Sequence, residues 1–343
     1  MDIKSVIFIR RDNIGDLVCT TPAIRALRLR WPRARIAALV NSYNADVILN
    51  NPDVDEVYVY EKWKHSGGKG RTGVWFNNLK EIRRIRAASF DAAIGCSYAW
   101  SARLARYTFA TGAKERIGIS PERGSSICYN RPVAPPASPM HEVEAMMRLV
   151  SALGVTGAAP SLVLRPGATD ADEASGRLRD AGAREGERLI AFHISSRRSQ
   201  NKWPRERFRE LGDMIQSAFD CRILLLWSPG AGNNPLHPGD DQDAEWLASS
   251  MKKKPVSYRT ERLGELIAAL SLADCVVCCD GGAMHIAAGL GKPILTIWGT
   301  TGVRRWSPWG VPHIILKKGG SAAEVNAAEA FEAFNKLREA WGA

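Results

Sequence analysis

The feature that most constrains the fold is an alternation, present in both halves of the chain, between short apolar runs and segments of helical period. Buried strands separated by helices in this way form parallel sheets through right-handed crossovers. The pattern occurs twice, and 343 residues are too many for one typical domain. The sequence therefore predicts an α/β protein with two doubly wound, Rossmann-like domains.

The apolar runs predict the individual strands. In the first half these are Ser5–Ile9, Ile36–Val40, Glu56–Tyr60, Ala92–Gly95 and Arg116–Ile119, with a helix at Thr21–Arg30. In the second half they are Leu189–His193, Arg222–Trp227, Cys275–Cys279 and Ile294–Trp298. Helical periods cover about Pro204–Phe219, Asp241–Ser250, Arg262–Leu272 and Gly282–Leu290. Two long polar loops, Glu61–Gly73 and Ser228–Gly239, have a length that often indicates function.

A Gly/Pro/Ala-rich stretch at Gly154–Gly167 predicts the join between the domains, with the polar helix Asp170–Ala181 as a spacer. We place the N-terminal domain at residues 1–160 and the C-terminal domain at residues 161–321. The last segment, 322–343, has a helical period, and we expect it to pack back across the domain boundary.

The net charge of +11 is concentrated in one half of the chain. Residues 1–165 hold 24 basic and 14 acidic residues, whereas residues 166–343 hold 23 and 22. This imbalance indicates either a solvated arginine-rich face or a first domain that meets a polyanion: nucleic acid, a phosphorylated glycolipid or a membrane surface. Nucleic-acid binding is disfavoured, because the sequence carries neither a basic stripe with stacking aromatics nor a known module.

The cysteines and the N-terminal run predict a cytoplasmic protein. The seven cysteines are odd in number and lie mostly in apolar runs, which is typical of reduced, buried thiols. Cys275 and Cys278 have C-x-x-C spacing but lack a second ligand pair, so we expect no metal. The apolar start at residues 1–9 is too short for a signal peptide or a membrane span.

The first motif follows the first predicted strand and reads RRDNIGD over residues 10–16. In a doubly wound sheet, the carboxyl ends of the strands border the ligand crevice. Gly15 permits a tight turn, which places Asp16 near the start of the next helix. An acid there is either a helix cap or a catalytic base, and the sequence leaves both open. The absence of a G-x-G-x-x-G fingerprint disfavours an NAD(P)-dependent oxidoreductase.

Two further motifs lie in the second half. The segment CDGGAMH, residues 279–285, joins a strand to a helix, where two glycines and a helix N-terminus suit phosphate oxygens. His285 lies one turn into that helix and is either a packing residue or a site residue. After the strand ending at His193 come Ser195 and Ser196, then Lys202 before Trp-Pro. Lys202 is either an ordinary surface lysine or a cation for a diphosphate.

Taken together, these motifs resemble the ADP-heptose:lipopolysaccharide heptosyltransferase family, glycosyltransferase family 9. The matching segments keep the family's order over nearly the whole chain: IFIRRDNIGDLVCTTPAIRALRLRWPRARI, FDAAIGCSYAWSARLARYTFATGAKERIGI, NKWPRERF and CDGGAMHIAAGLGKPILTIWGTTGVRRWSPWG. The resemblance implies a GT-B fold, in which two Rossmann-like domains face each other across a cleft. It assigns the acceptor to the N-terminal domain and the nucleotide sugar to the C-terminal domain, and it implies no metal.

The resemblance also implies roles for individual residues. Asp16 would be the general base, and Lys202 would stabilise the leaving diphosphate. The implied nucleotide-sugar contacts are Ser195, Ser196, Lys202, Asp280, Gly281, Gly282 and His285. The distinctive loop SPGAGNNPLHPGDD adds Ser228, Pro229 and Gly230 as residues that we expect to border the nucleotide. The candidate acceptor contacts are Arg10, Arg11, Asn13, Lys62, Lys64, His65, Lys69 and Arg71; a merely solvated loop is the alternative for those in Glu61–Gly73.

The function that follows from the resemblance is an inverting, metal-independent transfer of heptose from ADP-L-glycero-D-manno-heptose. The expected acceptor is the phosphorylated inner core of lipopolysaccharide at the anionic inner face of the cytoplasmic membrane, which would account for the basic first half. A GT-B glycosyltransferase of another nucleotide sugar, or a nucleotide-sugar 2-epimerase, is the alternative.

Overall fold

The structure is a computed structural model that describes residues 3–61, 71–121, 127–232 and 239–341. The chain forms two compact units. The first comprises Met1–Leu164 together with Arg304–Trp306, and the second comprises Arg165–Val303 and Ser307–Ala343. The change of unit after Leu164 lies within the glycine- and proline-rich stretch Gly154–Gly167.

The first unit is built on a six-stranded parallel sheet. Its strands are β1 (Ser5–Ile9), β2 (Arg35–Asn41), β3 (Glu56–Tyr60), β4 (Ala92–Gly95), β5 (Glu115–Ile119) and β6 (Arg131–Val133). Its helices are α1 (Ile14–Val18), α2 (Thr21–Arg30), α3 (Asp46–Leu49), α4 (Arg71–Ala87), α5 (Ala102–Ala110) and α6 (Glu142–Ser151). The strand order is β3-β2-β1-β4-β5-β6, so the direction of winding reverses between β1 and β4.

The second unit repeats this arrangement. Its strands are β7 (Leu189–His193), β8 (Arg222–Trp227), β9 (Val256–Arg259), β10 (Cys275–Cys279), β11 (Ile294–Trp298) and β12 (His313–Lys317). Its helices are α7 (Ala168–Asp180), α8 (Arg205–Ala218), α9 (Asp241–Ser250), α10 (Leu263–Ser271), α11 (Gly282–Gly289), α12 (Val303–Trp306) and α13 (Ala327–Trp341). Only Val303 of α12 belongs to this unit, because Arg304–Trp306 are part of the first unit. The order β12-β11-β10-β7-β8-β9 reverses between β7 and β10.

The central strands are buried over their whole length, which is why apolar runs predicted them. Every residue of β1, β7, β10 and β11 is buried, as expected for strands of a parallel sheet covered by helices on both faces. The core of the second unit includes Phe192, Trp203 and Phe208, and the ring of Phe208 packs against the other two rings. The prediction of an α/β protein with two Rossmann-like sheets is confirmed.

The strands that sequence inspection missed are β6, β9 and β12. All three are edge strands: β6 is an edge of the first sheet, and β9 and β12 are the two edges of the second sheet. Their residues are half-exposed or alternate between buried and exposed, so they lack a continuous apolar run. In contrast, β1, β3, β4, β7, β8, β10 and β11 have the predicted bounds, and β2 and β5 are longer by one or two residues.

Two of the loop and helix predictions differ from the structure, and a third stays a prediction. Helix α4 begins at Arg71, so the end of the predicted loop Glu61–Gly73 is helical, while residues 62–70 lie outside the described residues. Helix α7 is not a spacer, because it packs against α10 in the second unit. Helix α13 packs against α8, β11 and β12 of its own unit; packing back across the domain boundary stays a prediction.

Candidate active site

Both sheets reverse their winding at one point, and the polar motifs follow the strands that border it. In doubly wound sheets, ligands bind outside the carboxyl ends of the strands at such a switch point. In the first unit, β1 leads into the segment that carries Asp16. In the second unit, β7 leads to Ser195 and β10 leads to Asp280. Each unit therefore places its motif at the switch point of its sheet, the position where doubly wound folds bind ligands.

Asp16 is both a helix-start residue and a partly accessible carboxylate. Its Oδ2 accepts a hydrogen bond from the backbone N–H of Asn13 at 3.0 Å, which satisfies a donor at the start of α1. Its Oδ1 lies 2.7 Å from Nη2 of Arg10. The side chain is 12% exposed. The cap role that the sequence left open is therefore real, and it does not remove the carboxylate from solvent.

Arg10 is buried at the end of β1 and holds two carboxylates at once. The same Nη2 that contacts Asp16 donates to Oε1 of Glu142 at 2.7 Å, and Nη1 donates to the sulfur of Met146. Burial by itself lowers the pKa of Arg10, but Asp16, Glu142 and Asp12 raise it overall, so the guanidinium stays charged. Arg10 thus fixes the position of the Asp16 carboxylate.

Polar side chains at and after the carboxyl ends of β2 and β3 fix the backbone of the same segment. The Asn41 amide donates to the carbonyl oxygens of Arg11 and Asp12, and the Asn44 amide donates to that of Asp12. Tyr60 on β3 also donates its hydroxyl to the Arg11 carbonyl. Sequence analysis did not single out these residues. The available signal for them was Asn41, a polar residue directly after the predicted strand Ile36–Val40.

The predicted acceptor contacts are placed unevenly. Arg10 is 1% exposed and committed to carboxylates, so the structure gives it an internal role and not the surface position that an acceptor contact needs. Arg11 is half-buried and its guanidinium stacks over the rings of Tyr60 and Tyr107, while Asn13 is exposed. Lys62, Lys64, His65 and Lys69, and the side chain of Arg71, lie outside the described residues.

The second switch point is held together by Asp280 and Asn201. The Asn201 amide donates to Oδ2 of Asp280 at 2.8 Å, and the Thr301 hydroxyl donates to the same oxygen at 2.5 Å. Asn201 is 2% exposed and also accepts from the backbone N–H of Thr300. Burial raises the pKa of Asp280, and the bond from Thr301 opposes that rise. Asp280 therefore joins two loops and does not cap α11, whose N-cap is Gly281.

Two glycines at this switch point have opposite surroundings. A Cβ at Gly299 would overlap the carbonyl oxygen of Gln200, so only glycine lets the 3₁₀ turn Ser199–Asn201 approach the end of β11. Around Gly281, by contrast, a Cβ would meet no atom within 4 Å. The backbone before α11 is therefore open on one side, as a phosphate-binding turn requires. His285 is 4% exposed within α11.

Lys202 is engaged by two carboxylates at the start of α9. Its Nζ contacts Oδ1 of Asp240 and lies 2.6 Å from Oδ2 of Asp243. Burial by itself lowers the pKa of Lys202, but the hydrogen bonds to these two carboxylates raise it overall. The lysine therefore stays charged, yet its charge is already offset. Sequence analysis missed Asp240 and Asp243 because they lie about 40 positions from Lys202 in the chain.

The predicted serines and the loop after β8 form a second connection. Ser195 Oγ accepts from the backbone N–H of Ser228 at 2.8 Å, which ties the end of β7 to the end of β8. Ser196 Oγ donates to the Arg198 carbonyl, and the Gly230 N–H donates to Asp241. Ser228, Pro229 and Gly230 are half-buried. Residues 233–238 of this loop lie outside the described residues.

All seven cysteines are free, and burial raises the pKa of Cys96 and Cys279 to about 12. Within residues 3–61, 71–121, 127–232 and 239–341, no three His, Cys, Asp or Glu side chains are close enough together to hold a metal ion. In that same part of the chain, no helix combines the length and the apolar character needed to span a membrane.

The sequence and the fold of the chain are similar to those of known proteins. The sequence profile described as glycosyltransferase family 9 (heptosyltransferase) matches residues 79–333. Lipopolysaccharide heptosyltransferase 3 of Escherichia coli (strain K12) is 24% identical over 302 residues, which cover 86% of this chain and 82% of that protein. A glycosyltransferase family 9 structure from Veillonella parvula DSM 2008 superposes with a TM-score of 0.85 at 20% identity, covering 98% of this chain and 97% of that one.

A structure of the E. coli heptosyltransferase WaaC with ADP-2-deoxy-2-fluoro heptose superposes with a TM-score of 0.74 at 19% identity, covering 97% of this chain and 99% of that one. Two Rossmann-like units that match these structures define a protein of the GT-B fold. Because the family profile spans well over half of the sequence, the chain belongs to glycosyltransferase family 9, the heptosyltransferase family.

Proposed function

We propose that this enzyme transfers a heptose from ADP-L-glycero-D-manno-heptose to the inner core of lipopolysaccharide, with inversion at the anomeric carbon and without a metal. The observation that carries the donor half is the hydrogen-bonded cluster of Asn201, Asp280 and Thr301, which holds the Lys202 segment beside the open turn at Gly281. A relative named lipopolysaccharide heptosyltransferase, and a neighbour solved with an ADP-heptose analogue, support this donor and acceptor.

In the proposed reaction, Asp16 is the general base. The acceptor hydroxyl attacks the anomeric carbon from the face opposite the diphosphate, and Asp16 accepts the hydroxyl proton as the carbon–oxygen bond forms. A carboxylate is a weak base for an alcohol, so the proton moves late, when the hydroxyl has become acidic. General-base catalysis of this kind contributes about 10²–10⁴-fold.

The leaving group is ADP, and negative charge accumulates on its diphosphate. The proposed stabilisers are Lys202, the backbone at Gly281 and Gly282, and the N-terminus of α11, because fixed positive charge and N–H dipoles act most strongly where charge develops. Lys202 contacts Asp240 and Asp243 in the structure. The proposal therefore requires Lys202 to exchange these carboxylates for phosphate oxygens when the donor binds. Ser195, Ser196, Ser228, Pro229, Gly230 and His285 stay proposed members of the donor site.

The proposed acceptor contacts are Arg11, Asn13, Lys62, Lys64, His65, Lys69 and Arg71, with the anionic inner face of the cytoplasmic membrane as the place of reaction. The excess of basic residues in positions 1–165 supports an acidic, phosphorylated acceptor. Neutralising Lys62, Lys64, Lys69 and Arg71 together should raise the acceptor KM about tenfold and leave donor binding unchanged. A matched control neutralises four exposed cations elsewhere in the unit, Lys4, Lys80, Arg103 and Arg106.

The test of the overall proposal is a donor screen by mass spectrometry. The purified enzyme is incubated with a truncated core acceptor and, in separate reactions, with ADP-heptose, other ADP-sugars and UDP-sugars. The expected result is one added heptose from ADP-heptose, with inverted configuration by NMR and with full activity in the presence of EDTA. Transfer from a UDP-sugar alone, or epimerisation of a donor without acceptor, would overturn the proposal.

A further inference from the structure

Glu142, the first residue of α6, is a buried carboxylate that no step of the proposed reaction uses. It is 0% exposed, so it cannot contact a substrate. A carboxylate without partners in such a place would cost several kcal/mol, and Glu142 has a partner for each oxygen. Oε1 accepts from Nη2 of Arg10 at 2.7 Å, and Oε2 lies 2.8 Å from Nε and Nη2 of Arg305.

The geometry at Arg10 makes Glu142 a competitor of Asp16. Both carboxylates lie 2.7 Å from the same nitrogen, Nη2. A guanidinium with a single carboxylate partner strongly favours the ionised form of that partner, whereas a second carboxylate on the same nitrogen weakens the effect. Glu142 is held in place by the start of α6 and by Arg305, whose guanidinium stacks over the ring of Tyr98.

We infer that Glu142 is a positioning residue for Asp16: acting through Arg10, it sets the place of the Asp16 carboxylate and limits how much of the Arg10 charge that carboxylate feels. Arg305 acts on Glu142 from the other side, because it pairs with the second oxygen of that carboxylate and offsets part of its negative charge. The inference rests on the proposed role of Asp16 as the base. Without Glu142, Asp16 would be a more acidic group and a weaker acceptor of the substrate proton.

The other titratable groups around Asp16 do not replace the effect of Glu142 on the Asp16 carboxylate. Asp12 lies 3.3 Å from Nε of Arg10 and is open to solvent, with a side chain that is 47% exposed. Burial raises the pKa of the thiols of Cys19 and Cys96, so both stay neutral in the working pH range. Helix α3, which packs against α1, contributes Asp46, a half-buried residue.

The test compares two variants that should act in opposite directions. Glu142→Gln keeps the shape but removes the charge, so the acidic limb of the kcat profile should move down by about one pH unit, and kcat on the plateau should fall about threefold to tenfold. Arg305→Gln removes a positive charge at a partly exposed residue and should move the limb upward. The KM values for donor and acceptor should change little in either variant.

Asp53→Asn is the matched control, because it removes another buried carboxylate paired with an arginine in the same unit. Circular dichroism and thermal melts show whether each variant is folded. If Glu142→Gln does not fold, the movement of the acidic limb in Arg305→Gln decides the test. The inference is overturned if the variants lose stability without any movement of the acidic limb. It is also overturned if the acidic limb moves in the same direction in Glu142→Gln and in Arg305→Gln. Full activity of Asp16→Asn would instead overturn the proposed base, whatever the Glu142 result.

Discussion

The two units share one strand order but use opposite chemistry at their switch points. In the first unit the polar groups are charges: Arg10 is buried between Asp16 and Glu142. In the second unit, the carboxylate of Asp280 takes its hydrogen bonds from neutral donors, the Asn201 amide and the Thr301 hydroxyl, beside the open backbone at Gly281. The same scaffold thus fixes a charged side chain in one unit and shapes a backbone turn in the other.

The difference matches what the proposed roles of the two units in a glycosyl transfer need. A base must keep its carboxylate in one orientation, and ion pairs in a low-dielectric site achieve this. A diphosphate needs several N–H donors and close approach of the backbone, which a glycine turn before a helix provides. Lys202 stands apart in the second unit, because it is a charge that two carboxylates already hold. Variants of both units can test whether this division is functional.

The largest effect is expected at Asp16. Asp16→Asn should lower kcat about 10²–10⁴-fold, because it removes the proposed base while it keeps the size of the side chain. Binding of ADP, measured by calorimetry, should stay within about twofold of the native value, since the proposed ADP site lies in the other unit. Near-native turnover by the purified variant would remove Asp16 from the mechanism.

Lys202→Ala should come next, with a loss in kcat of about 10²–10³-fold, because one fixed charge on the leaving group is removed. Unlike Asp16→Asn, it should also weaken ADP binding. Asp243→Asn should do the reverse and tighten ADP binding several-fold, since it releases Lys202 from one carboxylate. Lys254→Ala, an exposed lysine of the same unit, is the control. Equal ADP affinity in all three variants would show that Lys202 does not meet the diphosphate.

A smaller effect is expected from Asn201→Ala. The variant loses the donor that connects Asp280 with the loop after β11, so the turn at Gly281 should become less well ordered. We expect the donor KM to rise about tenfold, a loss of the size of one or two buried hydrogen bonds, with the acceptor KM unchanged. Gln200→Ala, an exposed neighbour in the same turn, should behave as the native enzyme. A parallel rise of both KM values would point to general unfolding.

The last prediction concerns stability and not catalysis. Burial lowers the pKa of His193, at the end of β7, from 6.5 to about 4. The unfolded chain therefore binds a proton that the folded chain rejects between these values, and the free energy of unfolding should fall by up to about 1.4 kcal/mol per pH unit as the pH drops from 6.5 to 4. When urea melts are used to measure the free energy of unfolding at several pH values, His193→Leu should lack this contribution to its pH dependence. An identical slope in both proteins would contradict it.

The central strands and the motifs after them could be predicted because their signals are local. A strand covered on both faces must be apolar along its whole length, as β1, β7 and β10 are. The edge strand β12 could not be found in this way, because none of its residues is buried and an exposed edge does not require a continuous apolar run. The glycine turn at 281–282 was visible for the same reason as the strands: one short segment carries the whole signal.

Partners distant in the chain were invisible to sequence inspection. Arg10 read as a surface cation, yet Glu142, 132 positions later, pairs with it in the core. Lys202 read as a free charge for a diphosphate, yet Asp240 and Asp243 hold it. Burial and ion pairing depend on which residues the fold brings together, and no local pattern encodes that.

The sequence by itself determined the two Rossmann-like sheets, the basic first half and the segments that carry the candidate site, since each is a property of consecutive residues. Only the tertiary structure decided the state of the charges. It buried Arg10 between two acids, left the Asp16 carboxylate partly accessible and placed two carboxylates against the charged Lys202. The physical reason is that a charge acts through its neighbours and its distance from water, and folding sets both.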